Sequence, residues 1–165
     1  MTILEVAVVM IIIAILTSML LPVVGGYRAR ADEAKCIANL RNLYGGASAY
    51  IQANGSWPQI PNDLIVSDGT KYAKMWVSAL APYGIPHESW LCPSIQSSLG
   101  IPLSAIDEDA NYRVDYIGVS FDEKPSSPYP EPAYPWFIEK AGFHGPGNLL
   151  IMSNGSTTSL KELSR

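Results

Sequence analysis

The chain has 165 residues, 15 acidic against 11 basic, for a net charge of -4. Its Lys and Arg are scattered rather than striped, which removes the electrostatic footprint of a nucleic-acid binder. The length suits one modest hydrophobic core beside whatever the N-terminal segment does.

Residues 1–25 form one apolar run, MTILEVAVVMIIIAILTSMLLPVVG, with a single charge, Glu5. About 20 residues of helix cross the hydrocarbon of a bilayer, so the run predicts a membrane-spanning helix. A carboxylate within such a segment needs a partner, and no Lys, Arg or His precedes Arg28. The sequence therefore predicts that Glu5 pairs with a group from another chain or with an α-amino group; the alternative places it at headgroup level, paired with water. A secretory signal peptide fits poorly, because no basic residue precedes the run and the run is too long. Arg28, Arg30 and Lys35 follow the span, an arrangement that would hold the remainder inside the cell. Export then implies a processed chain that has lost a basic leader.

Helical periodicity continues through Tyr27, Ala31, Ala34, Ile37, Leu40, Tyr44, Ala47 and Ile51. Asn54-Gly55 ends it, with Pro58 shortly after. One helix of roughly 50 residues is expected, near 80 Å long at about 1.5 Å per residue. Pro22 is expected to kink it, and Gly25 and Gly26 to loosen it. This gives three regions: an apolar half at 1–26, an amphipathic half at 27–54 and a head at 55–165.

Every other proline lies in the head, so long helices are excluded there. Thr70 to Pro82 is the one further helical stretch expected. Strands are expected over Asn111 to Val119 and Leu149 to Met152. The latter turns through Ser153-Asn154-Gly155-Ser156 into Thr157 to Leu160, with Asn-Gly as hairpin signal. Pro125 to Trp136 is too proline-dense for a strand interior and reads as an extended surface segment. The two cysteines, Cys36 and Cys92, allow a disulfide in an exported protein, or two separately buried thiols.

Residues 1 to about 55 resemble the N-terminal helix of type IV pilins and of the pilin-like subunits of type II secretion systems. Met1, Glu5 and Pro22 fall on that family's processed and methylated first residue, its glutamate and its proline. Met1 departs from the commoner Phe, and Ile3-Leu4 is permuted from the usual Leu-Ile. The head is similar to pilin-like proteins carrying Cys36, Asn39, Leu40 and Arg41, then Trp76, Leu80, Pro82 and Tyr83, then Cys92, Pro93 and Ser94. His144-Gly145-Pro146-Gly147 with Asn154-Gly155 echoes their final hairpin roughly. The resemblance implies an α+β fold, a long kinked N-terminal helix packed on a small antiparallel sheet, and it supports a Cys36–Cys92 bridge. It also implies a homo-oligomeric helical filament, with Glu5 setting register against the Met1 amine of a neighbour. A prepilin peptidase and assembly machinery would be its partners. The inner membrane, then the cell surface or the periplasm, would be its location.

Three functions follow as expectations: a surface pilus subunit, a secretion pseudopilin and a single-span anchored binding module. An enzyme is not expected. His87 and His144 lie in no metal-binding or catalytic spacing, Ser94, Ser97 and Ser98 lack a nucleophile-elbow setting, and no phosphate loop occurs. Asp107, Glu108 and Asp109 have oxygens suited to a structural calcium, as in some secretion-type subunits, but a solvated turn explains them as well. No other cofactor is expected.

Overall fold

A computed structural model of the chain describes residues 2–121, 134–142 and 147–164, with the side chains of 19–25 outside the description. Helix α1 runs unbroken over Ile3–Asn54, 52 residues. Thr2 caps its start, and Gly55 ends it in the left-handed conformation at φ 72°. The Gly55 N–H reaches Ile51 O at 2.8 Å, the satisfied end that an Asn-Gly pair predicts.

The expected membrane span is corrected. Among the described residues, no helix is long and apolar enough to cross a membrane. Within α1, the Thr17 and Ser18 hydroxyls bond back to Ile13 O and Ile15 O. The fold class expected by resemblance, a pilin-type helix with a membrane-resident half, is corrected with it. In its place stands a head built on a four-stranded antiparallel sheet, packed on one half of α1.

The strands are β1 (Tyr116–Gly118), β2 (Pro135–Glu139), β3 (Leu149–Met152) and β4 (Thr157–Ser159), in the order β1-β2-β3-β4. The hairpin from β3 to β4 turns at Asn154-Gly155, with Gly155 at φ 79° and Asn154 Oδ1 accepting from Ser156 N. A strand over all of Asn111 to Val119 does not form. Asp115, just before β1, instead gives its N–H to Trp90 O, and its carbonyl accepts from Lys140 N. The proline-dense segment lies largely outside the described residues. Its end differs from expectation: Pro135 and Trp136 open β2, where a first strand residue tolerates proline.

Short helices fill the rest: α2 (Leu64–Ser67), α3 (Gly69–Leu80), α4 (Pro93–Leu99) and α5 (Leu160–Leu163). The core lies between the sheet, α3 and the second half of α1. Cys36, Leu40, Leu43, Ala47 and Ile51 recur at three- and four-residue spacing, and all are buried. They meet an aromatic cluster of Trp57, Trp76, Trp90, Trp136 and Phe137. Hydrogen bonds fix the layers: Tyr44 donates to Ser153 O, Tyr72 to Gly118 O, and the Asn39 amide to Leu91 O. Gly118 is required by this packing, because a Cβ there would lie 2.1 Å from the Trp76 ring.

Candidate functional site

The chemistry of the head converges on two neighbouring clusters under α1. In the first, Cys36 from α1 and Cys92 at the start of α4 bring their sulfurs to 2.8 Å, in hydrogen-bonding contact and fully buried. A covalent bridge would place them at about 2.05 Å, so the expected disulfide is corrected to a pair of thiols. Glu139 joins them, its carboxylate buried and Oε2 taking the Leu149 N–H at 3.3 Å. Tyr116 stands opposite Glu139 in the β1–β2 register, with its hydroxyl beside Cys36. The hydrogen bond to Cys92, together with burial, pushes the Cys36 thiol well above its ordinary range. Burial does the same to the Tyr116 hydroxyl, so both groups are neutral.

The second cluster starts at Cys92, whose N–H donates to Asp115 Oδ2 at 2.8 Å. Asp115 Oδ1 accepts from Arg113 Nε at 3.0 Å, and Arg113 Nη2 reaches Gln96 Oε1 at 2.6 Å. Burial raises the Asp115 carboxyl above the usual range, and the Cys92 N–H and the Arg113 guanidinium offset only part of that. His87 lies beside this network. Its Nδ1 is 2.8 Å from Asp107 Oδ1, its Nε2 is 2.8 Å from Arg113 O, and its ring stacks on Tyr112 with centroids 4.1 Å apart.

The residues singled out in the sequence are dispersed. Met1 and His144 lie outside the described residues, as does the side chain of Pro22. Helix α1 continues through Pro22, Gly25 and Gly26. Glu5 has a partner within its own chain. Its Oε2 accepts the Thr2 N–H at 2.7 Å while Thr2 Oγ1 accepts the Glu5 N–H at 3.3 Å, a capping box. Thr2-x-x-Glu5 before an apolar run is that motif's signature, and it accounts for the one charge in the run.

Asp107, Glu108 and Asp109 do not converge. Asp107 meets His87, Glu108 accepts from Asn111 at 3.3 Å, and Asp109 pairs with Lys74 at 2.5 Å. Three carboxylates with three separate partners do not make the oxygen cage that calcium needs. Among the described residues, Cys36, Cys92 and Glu139 are the group whose ligand atoms gather, all within 4.8 Å of one another. Reading the sequence missed Glu139 and Tyr116, because only the β1–β2 register reveals that they share the inward face.

No protein-family model, curated protein or solved structure matches the chain. With no match and no spanning helix among the described residues, the pilin resemblance is corrected. The functions derived from it, pilus subunit, pseudopilin and anchored module, are corrected too. So are the partners and locations it implied: a helical filament, the inner membrane, and the cell surface or periplasm reached from it.

Proposed function

We propose that this chain is a non-catalytic association module: a compact head carried on a helical arm that a partner protein's apolar surface covers. The carrying observation is the exposure of that arm. Ile3 is 91%, Leu4 74%, Met10 64% and Leu16 57% exposed, with the Val and Ile side chains between them also open. Contiguous apolar surface beyond a few hundred Å² is unusual on a protein that stays alone. Covering each such side chain stabilises a complex by roughly 1.5–3 kcal/mol before association costs.

The absence of catalysis belongs to the same reading. It is supported by what the polar groups already do: both ring nitrogens of His87 bond within the fold, and Asp115 holds the Cys92 N–H and Arg113. The shallow cleft of about 610 Å³ along α3, lined by Lys71, Lys74, Ser78 and Tyr112, sets no nucleophile beside a base.

Light scattering on the purified full chain tests the proposal. With no partner protein to cover the arm, the wild-type chain is expected to associate non-specifically in buffer, and Val9→Glu with Ile13→Glu to leave it monodisperse with an unchanged head. A wild-type chain that is itself a monodisperse monomer would overturn the reading.

A further inference from the structure

The structure assigns a cation site to the buried junction of α1, α4 and β2: Cys36, Cys92 and Glu139 hold one thiophilic divalent cation of the zinc class. The three come from separate parts of the fold. Cys36 sits inside α1, Cys92 precedes α4, and Glu139 ends β2. All three have 0% exposure, and their ligand atoms lie within 4.8 Å of one another.

The donor set selects the ion. Two sulfurs and one carboxylate oxygen suit zinc or cadmium, whereas calcium and magnesium take oxygen alone. Two ligands are already held by neighbouring groups. Leu149 N–H fixes the Glu139 carboxylate, and the Asp115 carboxylate fixes the Cys92 main chain. Such outer contacts orient ligands and raise affinity. On zinc, two thiolates bonded at ~2.3 Å stand roughly 3.7 Å apart. The sulfurs, now 2.8 Å apart, must part by about an ångström, a side-chain adjustment.

Binding is a proton exchange. The cation takes both sulfur lone pairs, two S–H bonds break, and two protons pass to solvent. Because each thiol must lose its proton to bind, apparent affinity climbs as pH rises. All three side chains are closed off from solvent, so no substrate reaches a cation held there.

The full-length chain, reduced with a non-chelating phosphine under anaerobic conditions, is titrated with cadmium(II) and separately with zinc(II). One cation per chain, an ultraviolet thiolate-to-cadmium band, about two protons released and a higher Tm with zinc are expected. Cys92→Ser should abolish the band, and Glu139→Gln should keep it while weakening binding by at least about tenfold. If a variant does not fold, displacement of cadmium from the wild-type chain by a chelator, with loss of the band and of the Tm gain, reads the same site. No band in the reduced wild-type chain overturns the assignment. So does unchanged affinity in a folded Glu139→Gln chain, or native material whose two cysteines are covalently joined and hold no metal.

Discussion

The two halves of α1 share one backbone and behave as different materials. From Cys36 to Ile51 every third or fourth side chain is buried against the head, while from Ile3 to Leu16 every large apolar side chain is open. The difference lies in pattern rather than hydrophobicity. The second half alternates apolar positions with Arg41, Gln52 and other polar ones, so it has a face to bury. The first half is apolar all round and has no preferred face, and nothing among the described residues covers it. Packing energy in this protein therefore resides in the second half of α1, and exposed apolar surface in the first.

The comparison breaks most visibly on a core leucine. Leu40→Ala removes a fully buried side chain of the second half and should cost about 2–5 kcal/mol. Ile12→Ala, in the half-exposed arm, should change head stability by less than about 0.5 kcal/mol. All four tryptophans lie in the head, so denaturant unfolding followed by their fluorescence reads the head alone. Equal losses from the two substitutions would dissolve the distinction between the halves.

A sharper contrast is available one residue apart. A Cβ on Gly46 would lie 2.3 Å from Ile85 Cγ1, so this glycine lets the segment after α3 approach the helix. Gly45 has nothing within 4 Å of its Cβ position. Gly46→Ala should destabilise by about 1–3 kcal/mol through overpacking, less part of the gain in helix propensity. Gly45→Ala should stabilise by up to about 1 kcal/mol. Ile85→Ala in the Gly46→Ala background should recover part of the loss, as measured by the unfolding midpoint.

How much of this was legible depended on whether the deciding interaction was local. Gly69–Leu80 and the β3–β4 hairpin followed from periodicity and from Asn154-Gly155, because those signals act within a few residues. The second half of α1 was readable for the same reason. The start of β2 was hidden by Pro135, which reads as a strand breaker until its place at the strand edge is known. The candidate site was less legible still. Cys36 and Cys92 could be named, but their closeness to Glu139 depends on strand register and a long-range docking, which no local window contains. The Thr2–Glu5 capping box went unread for the opposite reason: its two members stand three residues apart, and the apolar run overshadowed them.

Two capping boxes test the halves again at smaller amplitude. Ser159 caps α5 at the edge of the head, and Thr2 caps α1 at the tip of the arm. Ser159→Ala should cost about 1 kcal/mol in tryptophan-detected unfolding. Thr2→Ala should leave that signal unchanged and lower only the helical circular dichroism of the arm. A fall in head stability from Thr2→Ala would mean the arm is coupled to the core.

The smallest effect belongs to the surface of the head, where Lys74 on α3 meets Asp109 at 2.5 Å with both side chains well exposed. The hydrogen bond from Lys74, then its charge, holds the Asp109 carboxyl below the usual carboxylate range. A carboxylate depressed on folding adds stability at pH values above its unfolded value and loses it as pH falls through the folded value. Solvent and salt screen an exposed pair, so the unfolding midpoint should scarcely register this change. The titration itself should. The Asp109 carboxyl, followed by NMR, should turn over at lower pH than an unpaired aspartate, and Lys74→Ala should return it to the ordinary range. Because Lys74 also stands over the Tyr112 ring that stacks on His87, the same substitution should shift the His87 ring resonances while leaving those of the Ile3–Leu16 arm in place. Movement in the arm resonances instead would show that the head surface and the arm are not independent.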